Sequence, residues 1–188
     1  MKKIVFLLNH FTYSDGVARA LLEISNNLDQ TKFDLTIIPL YRVEQKFAFE
    51  LNGGIRLRKG FGFYFRGFDK VANLFPVKLL YRIIIRDRYD IEIAFQYGLS
   101  TRLVSNSLNR RALHIGWMHT YDSGLSLKSS YLKLDQIVCV SKCNAQRLNE
   151  ELEGKVKIRY CYNILDDQKI FQKARYIPSL DCLVRPLL

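Results

Sequence analysis

Residues 3–9 (KIVFLLN) form a nearly unbroken apolar run, and residues 9–16 (NHFTYSDG) form a polar turn directly after it. A strand apolar on both faces is buried on both faces, which is the habit of parallel sheets covered by helices. Residues 17–28 come next, with Val17, Ala20, Leu21, Ile24 and Leu28 at helical spacing. A second apolar run occupies residues 33–40 (FDLTIIPL). Strand, loop, helix and strand in that order make a right-handed parallel crossover unit. The rest of the chain has to extend the same sheet.

The alternation continues. Gly53 and Gly54 make a turn before a short strand at residues 55–57. Pro76 is placed to start a helix running to about residue 88. Residues 89–95 (YDIEIAF) predict a strand, and a short helix is expected near residues 100–108. Strands are predicted at residues 112–118 (ALHIGWM) and 136–140 (QIVCV). Ser141 is a good N-cap for a helix over residues 142–152, and residues 155–162 (KVKIRYCY) close the series. The fold class is therefore α/β: a Rossmann-like, open, mostly parallel sheet with helices on both faces. In such sheets ligands sit at the carboxyl ends of the strands, so the loops after Asn9, Phe95, Met118, Val140 and Tyr162 carry the interest.

The chain has 188 residues, enough for one domain with a sizeable core. The apolar run near Met1 is too short for a signal core or a membrane span. Four cysteines are present: Cys139, Cys143, Cys161 and Cys182. Without a secretory context they are expected to be reduced and structural. Cys139 and Cys143 are spaced C-x3-C, but no second Cys or His pair stands at ligand spacing, so no metal site is assigned. The formal net charge is +11, which bears on partners rather than on fold.

Five segments in order resemble the N-terminal domain of GT-B-fold glycosyltransferases, specifically the retaining enzymes of family 4. The first runs from Ser14, Asp15 and Gly16 through Val17, Ala18, Arg19, Ala20, Leu21 and Leu22 to Glu23, similar to the family's glycine-rich loop and first helix. The others are Tyr89-Asp90-Ile91, Trp117-Met118-His119, the run DQIVCVSK at 135–142, and Asn163 to Asp166 (NILD). The resemblance covers residues 1–166. It implies a glycosyltransferase, taking a sugar from a nucleotide-sugar donor to a polysaccharide or lipid-linked acceptor, with no cofactor.

The resemblance implies that His119 is catalytic and touches the reacting sugar, with Asp15, Gly16, Trp117, Asp122, Ser141 and Lys142 around donor or acceptor. Each residue type also has its own chemical reading. A glycine lets a ligand approach the main chain, and helix N-terminal amides favour a diphosphate. The plain alternative is a tight strand-to-helix turn, with Asp15 standing where a phosphate approaches. An aromatic face such as Trp117 packs on sugar C–H groups, and a carboxylate such as Asp122 binds hydroxyls. Ser141 is explained by its capping role, and Lys142 either reaches a phosphate or is solvated. His10 is a weaker candidate, and His114 reads as core.

Residues 42–88 carry eleven Lys/Arg against four Asp/Glu, with nine Phe/Tyr interleaved. Lys78, Arg82 and Arg86 lie four apart, on one helical face, with Leu79, Leu80, Ile83 and Ile84 on an adjacent one. One reading is a membrane-facing surface that meets anionic head groups, which places the protein in the cytoplasm, peripheral to the inner face of the cell membrane. Nucleic acid is the disfavoured partner. A solvated face is the plain reading.

Residues 167–188 are expected to be a linker and tail. The family's second, donor-binding domain needs on the order of 150 further residues, and neither its opening strand nor its paired glutamates is found there. The chain is thus expected to be inactive alone. The alternatives are one subunit of a split transferase, with a partner chain supplying the donor domain, or a non-catalytic basic α/β module for membrane or partner binding.

Overall fold

The computed structural model describes residues 1–61, 64–65, 67–72, 74–121, 126–164 and 171, without the side chains of residues 69 and 70. The chain alternates β1 (Lys2–Phe11), α1 (Gly16–Asn27), β2 (Phe33–Val43), α2 (Gln45–Ala48), β3 (Arg56–Leu57), α3 (Phe68–Ala72) and α4 (Val77–Ile84). It continues through β4 (Ile91–Ala94), α5 (Leu99–Ser105), β5 (Leu113–Met118), α6 (Lys128–Tyr131), β6 (Gln136–Cys139), α7 (Lys142–Glu151) and β7 (Lys157–Tyr160). One seven-stranded sheet results, in the order β3-β2-β1-β4-β5-β6-β7. Every pairing is parallel. The protein has an α/β, Rossmann-like fold.

The order of strands follows from the crossovers. From β1 the chain winds outward to β2 and β3, then returns through α3 and α4 to lay β4 on the other side of β1. Val5 therefore pairs with Thr36 on one side and Glu92 on the other. The winding direction reverses between β1 and β4. Loops leaving these two strands diverge there and leave a crevice at their carboxyl ends.

Both sheet faces are covered. On one, Ile4, Phe6 and Leu8 of β1 pack with Leu21, Leu22 and Ile24 of α1 and with Phe47 of α2. On the other, Val5 and Leu7 share a core with Leu80 and Ile84 of α4, Leu103 of α5, Tyr131 of α6 and Leu148 of α7. The two sets of β1 alternate because successive strand side chains point to opposite faces.

Several boundaries differ from the sequence reading. Strand β1 runs on through His10 to Phe11, because the buried Phe11 ring packs on Phe47 with centroids 4.7 Å apart. The turn is therefore confined to residues 12–15. Helix α4 ends at Ile84 instead of near residue 88: Ile85 adopts φ −102° and ψ 94°, leaving the helix while its N–H still reaches the Tyr81 carbonyl. Ile85 stays buried as the chain turns toward β4, so the apolar pattern outlasts the helix. Arg86 consequently leaves the helical face of Lys78 and Arg82. The short helices α2, α3 and α6 leave no mark in the sequence, because one turn is too short to show a helical period. Residues 165–170 and 172–188, with most of the expected linker and tail, lie outside the described residues.

Candidate active site at the switch between β1 and β4

The loop after β1 enters α1 through Asp15. Its Oδ1 accepts a 2.8 Å bond from the Val17 N–H, which caps the helix. Its Oδ2 accepts from Gln96 Nε2 at 3.3 Å. Gln96 follows β4, and its Oε1 accepts from the Asn9 N–H at 2.8 Å. Asn9 Nδ2 in turn donates to the Tyr97 carbonyl at 3.1 Å. Gly98 caps α5 at φ 106°, a conformation that disfavours any other residue. The two loops flanking the switch are thereby stitched together.

Gly16 does not occupy the left-handed region, so backbone freedom is not the reason for glycine there. A Cβ at Gly16 would meet nothing within 4 Å. The glycine instead leaves the helix start open to approach. Asp15 already engages an α1 amide and brings a negative charge, which competes with a phosphate for this helix end. Asp15→Ala is expected to cost about 1 kcal/mol as a lost cap, read by chemical denaturation, with a larger cost indicating that the Gln96 bond adds to it.

Strand β5 delivers Trp117 and, just past its end, His119. Both rings pack on Phe95, which is fully buried after β4: the Trp117 centroid is 5.2 Å away and that of His119 4.7 Å, edge-on. A cavity of about 180 Å³ opens above them, lined also by Val17, Gln96, Tyr97 and Tyr131. A second cavity of about 350 Å³ shares Tyr97 and includes Asn9, Tyr41, Gly98 and Arg102. Tyr97 lines both cavities.

The polar atoms here are unusual. Trp117 Nε1, His119 Nε2 and Asn9 Oδ1 are buried without a hydrogen-bond partner among the described residues. Buried polar groups ordinarily have one, and leaving one unpaired costs about 1–3 kcal/mol. Burial drives the His119 pKa down to about 4, against a smaller upward pull from a backbone hydrogen bond at Phe95 and the charge of Asp15. The ring is therefore neutral at physiological pH. A neutral imidazole has one donor and one acceptor nitrogen, while Trp117 Nε1 can only donate.

The remaining sequence candidates are dispersed. Ser141 caps α7, its Oγ accepting from the Asn144 N–H at 3.2 Å. The Lys142 ammonium lies 5.2 Å from the Tyr160 ring centroid. Neither lines the cavity at His119. His10 contacts the rings of Tyr41 and Tyr64. His114 sits at the opposite sheet edge, its Nδ1 3.1 Å from Asp135 Oδ2 and its Nε2 3.2 Å from the Asn109 carbonyl. Asp122 lies outside the described residues. Sequence reasoning missed Asn9, Gln96 and Tyr97 as individuals; their position at the ends of β1 and β4 was the available signal.

No group of three His, Cys, Asp or Glu able to hold a metal ion occurs among the described residues. Cys139 is buried, which pushes its thiol up to about 11, while Cys143 and Cys161 are exposed. In comparison with known proteins, the chain matches no family model and no curated protein at significant similarity.

Proposed function

We propose that this domain is the acceptor-side half of a retaining glycosyltransferase, with the crevice between β1 and β4 as its sugar-binding face. One observation carries the reading: on the Phe95 floor, Trp117 Nε1 offers a donor and His119 Nε2 an acceptor, both buried and without a partner among the described residues, and Asn9 Oδ1, beside the neighbouring cavity, is a further such acceptor. A sugar supplies hydroxyls that both donate and accept, and C–H faces that pack on rings. His119, held neutral, would accept a hydroxyl hydrogen bond and orient the reacting sugar. Gly16 would let a donor diphosphate approach α1. A second α/β domain, in the same polypeptide or in a partner chain, would hold most of the nucleotide-sugar. Saturation-transfer NMR with UDP-glucose, UDP-N-acetylglucosamine and GDP-mannose tests this: sugar protons should receive saturation from wild type and lose it in His119→Gln. Signal that is the same in both proteins counts against the reading.

A second feature supports a membrane-bound acceptor. On α4, Leu80 and Ile84 are buried, but Leu79 and Ile83 stand 48% and 47% exposed. Lys78 and Arg82 are exposed beside them, and nearby Leu74 is 84% exposed. Apolar side chains facing outward among cations suit an anionic bilayer surface. No helix of the described residues is long and apolar enough to cross a membrane. Co-sedimentation should show preference for anionic over neutral vesicles, reduced by Lys78→Glu with Arg82→Glu. Equal binding to both vesicle types would remove the membrane role and leave the crevice reading intact.

A further inference from the structure

The amino-terminal edge of the sheet holds a separate cavity of about 560 Å³. Its rim comes from two segments, residues 85–88 before β4 and residues 108–111 before β5. Between them they contribute Arg86, Arg88, Arg110 and Arg111. The crevice at His119 lies at the opposite edge, so the two sites are independent.

Four guanidinium groups around one small cavity repel one another, and local acids do little to relieve this. Among the described residues Asp87 is the only carboxylate in the lining, and it already lies 3.6 Å from Arg58 and accepts from the Tyr89 hydroxyl at 3.3 Å. Among the described residues none of the four arginines forms an ion pair. Arg86 donates only to the Ile83 carbonyl, at 3.1 Å.

The frame beneath them is fixed. Asn109 Nδ2 donates to the Tyr89 carbonyl at 2.8 Å and ties the two segments together. The Asn109 N–H is held by Ser107 Oγ at 3.0 Å, and the Ala112 N–H closes the turn onto the Asn109 carbonyl at 3.1 Å. Tyr81 forms the inner wall, its hydroxyl donating to the buried Glu92 Oε1 at 2.6 Å and accepting from Ser107 Oγ at 2.9 Å. The four exposed arginines thus line the cavity on a hydrogen-bonded base. Guanidinium forks match phosphate oxygens bidentately, and a compact anion neutralises several at once.

We propose that the cavity framed by Arg86, Arg88, Arg110 and Arg111 is a binding site for a compact phosphate or diphosphate ester group. The same chemistry is offered by a soluble phosphorylated metabolite and by a phospholipid head group.

Isothermal titration of the full chain with pyrophosphate at low ionic strength tests the site. Saturable binding is expected, weakened about a hundredfold by Arg110→Gln with Arg111→Gln, since each lost charge-assisted contact is worth about a decade in affinity. Lys78→Ala with Arg82→Ala should leave it unchanged. Circular dichroism confirms that each variant is folded; Arg88→Gln with Arg110→Gln serves if the first is not. Co-sedimentation with phosphatidylcholine vesicles, with and without phosphatidic acid, separates the sources. With the vesicle arm run in the Lys78→Glu, Arg82→Glu background, so that α4 does not contribute, parallel loss of pyrophosphate and phosphatidic acid binding assigns a lipid head group, and loss of pyrophosphate alone assigns a soluble ester. Absence of saturable pyrophosphate binding by wild type, or equal weakening in the α4 variant, overturns the proposal.

Discussion

Phe95→Ala is expected to destabilise the domain by about 3–5 kcal/mol, the usual cost of removing a buried aromatic ring. Phe95 is fully accessible to none of the solvent and touches Phe6 edge-on at 5.7 Å, Trp117 at 5.2 Å and His119 at 4.7 Å. Its loss opens a cavity directly under the candidate site. Trp117 and His119 then lose their common support and the geometry that keeps their nitrogens buried. Urea unfolding measures the stability change, and the His119 ring resonances report the site. A cost under about 1 kcal/mol, well below the range for such truncations, would show that Phe95 is not the floor described. Phe95→Leu should recover a large part of the stability while leaving the His119 environment altered.

Acid is expected to weaken the fold through His119. An unfolded histidine titrates near 6.5, whereas burial brings His119 down to about 4. Between those values the unfolded chain holds a proton that the folded ring refuses. Stability contributed by the neutral ring is therefore present above pH 6.5 and lost progressively as pH falls toward 4. The full difference corresponds to about 3 kcal/mol. Unfolding of wild type and His119→Gln, compared at pH 7 and pH 4.5, should show the variant gaining on wild type by about 2–3 kcal/mol over that interval. Parallel pH dependence in the two proteins would place the His119 pKa near its ordinary value, and the ring would then be solvated.

The fold was legible because each strand buried on two faces writes itself as an apolar run. Residues 3–9 and 33–40 sit within the longer β1 and β2, and all seven expected strands occur in the sheet. Ends were less legible, because burial and secondary structure part company there. Phe11 and Ile85 are buried for tertiary reasons, one continuing a strand past polar residues and the other following a helix that has stopped. At the crevice, Asp15, Gly16, Trp117 and His119 were found from local pattern. Gln96 was not, since a glutamine after a strand carries no motif; its meaning lies in contacts with Asn9 and Asp15, each more than eighty residues away. The arginine cavity was hidden for the same reason. Arg88 and Arg110 become neighbours only once β4 and β5 pair and Asn109 ties their leading segments together.

The most direct test uses the fact that Trp117 is the chain's single tryptophan. Its emission reports the candidate site and nothing else. Titration with UDP-glucose, UDP-N-acetylglucosamine and GDP-mannose should give a saturable change with at least one of them, abolished by His119→Gln and retained in the variant of Arg110 and Arg111. Emission that stays constant for all three, in a chain shown to be folded, would contradict a sugar-binding crevice between β1 and β4.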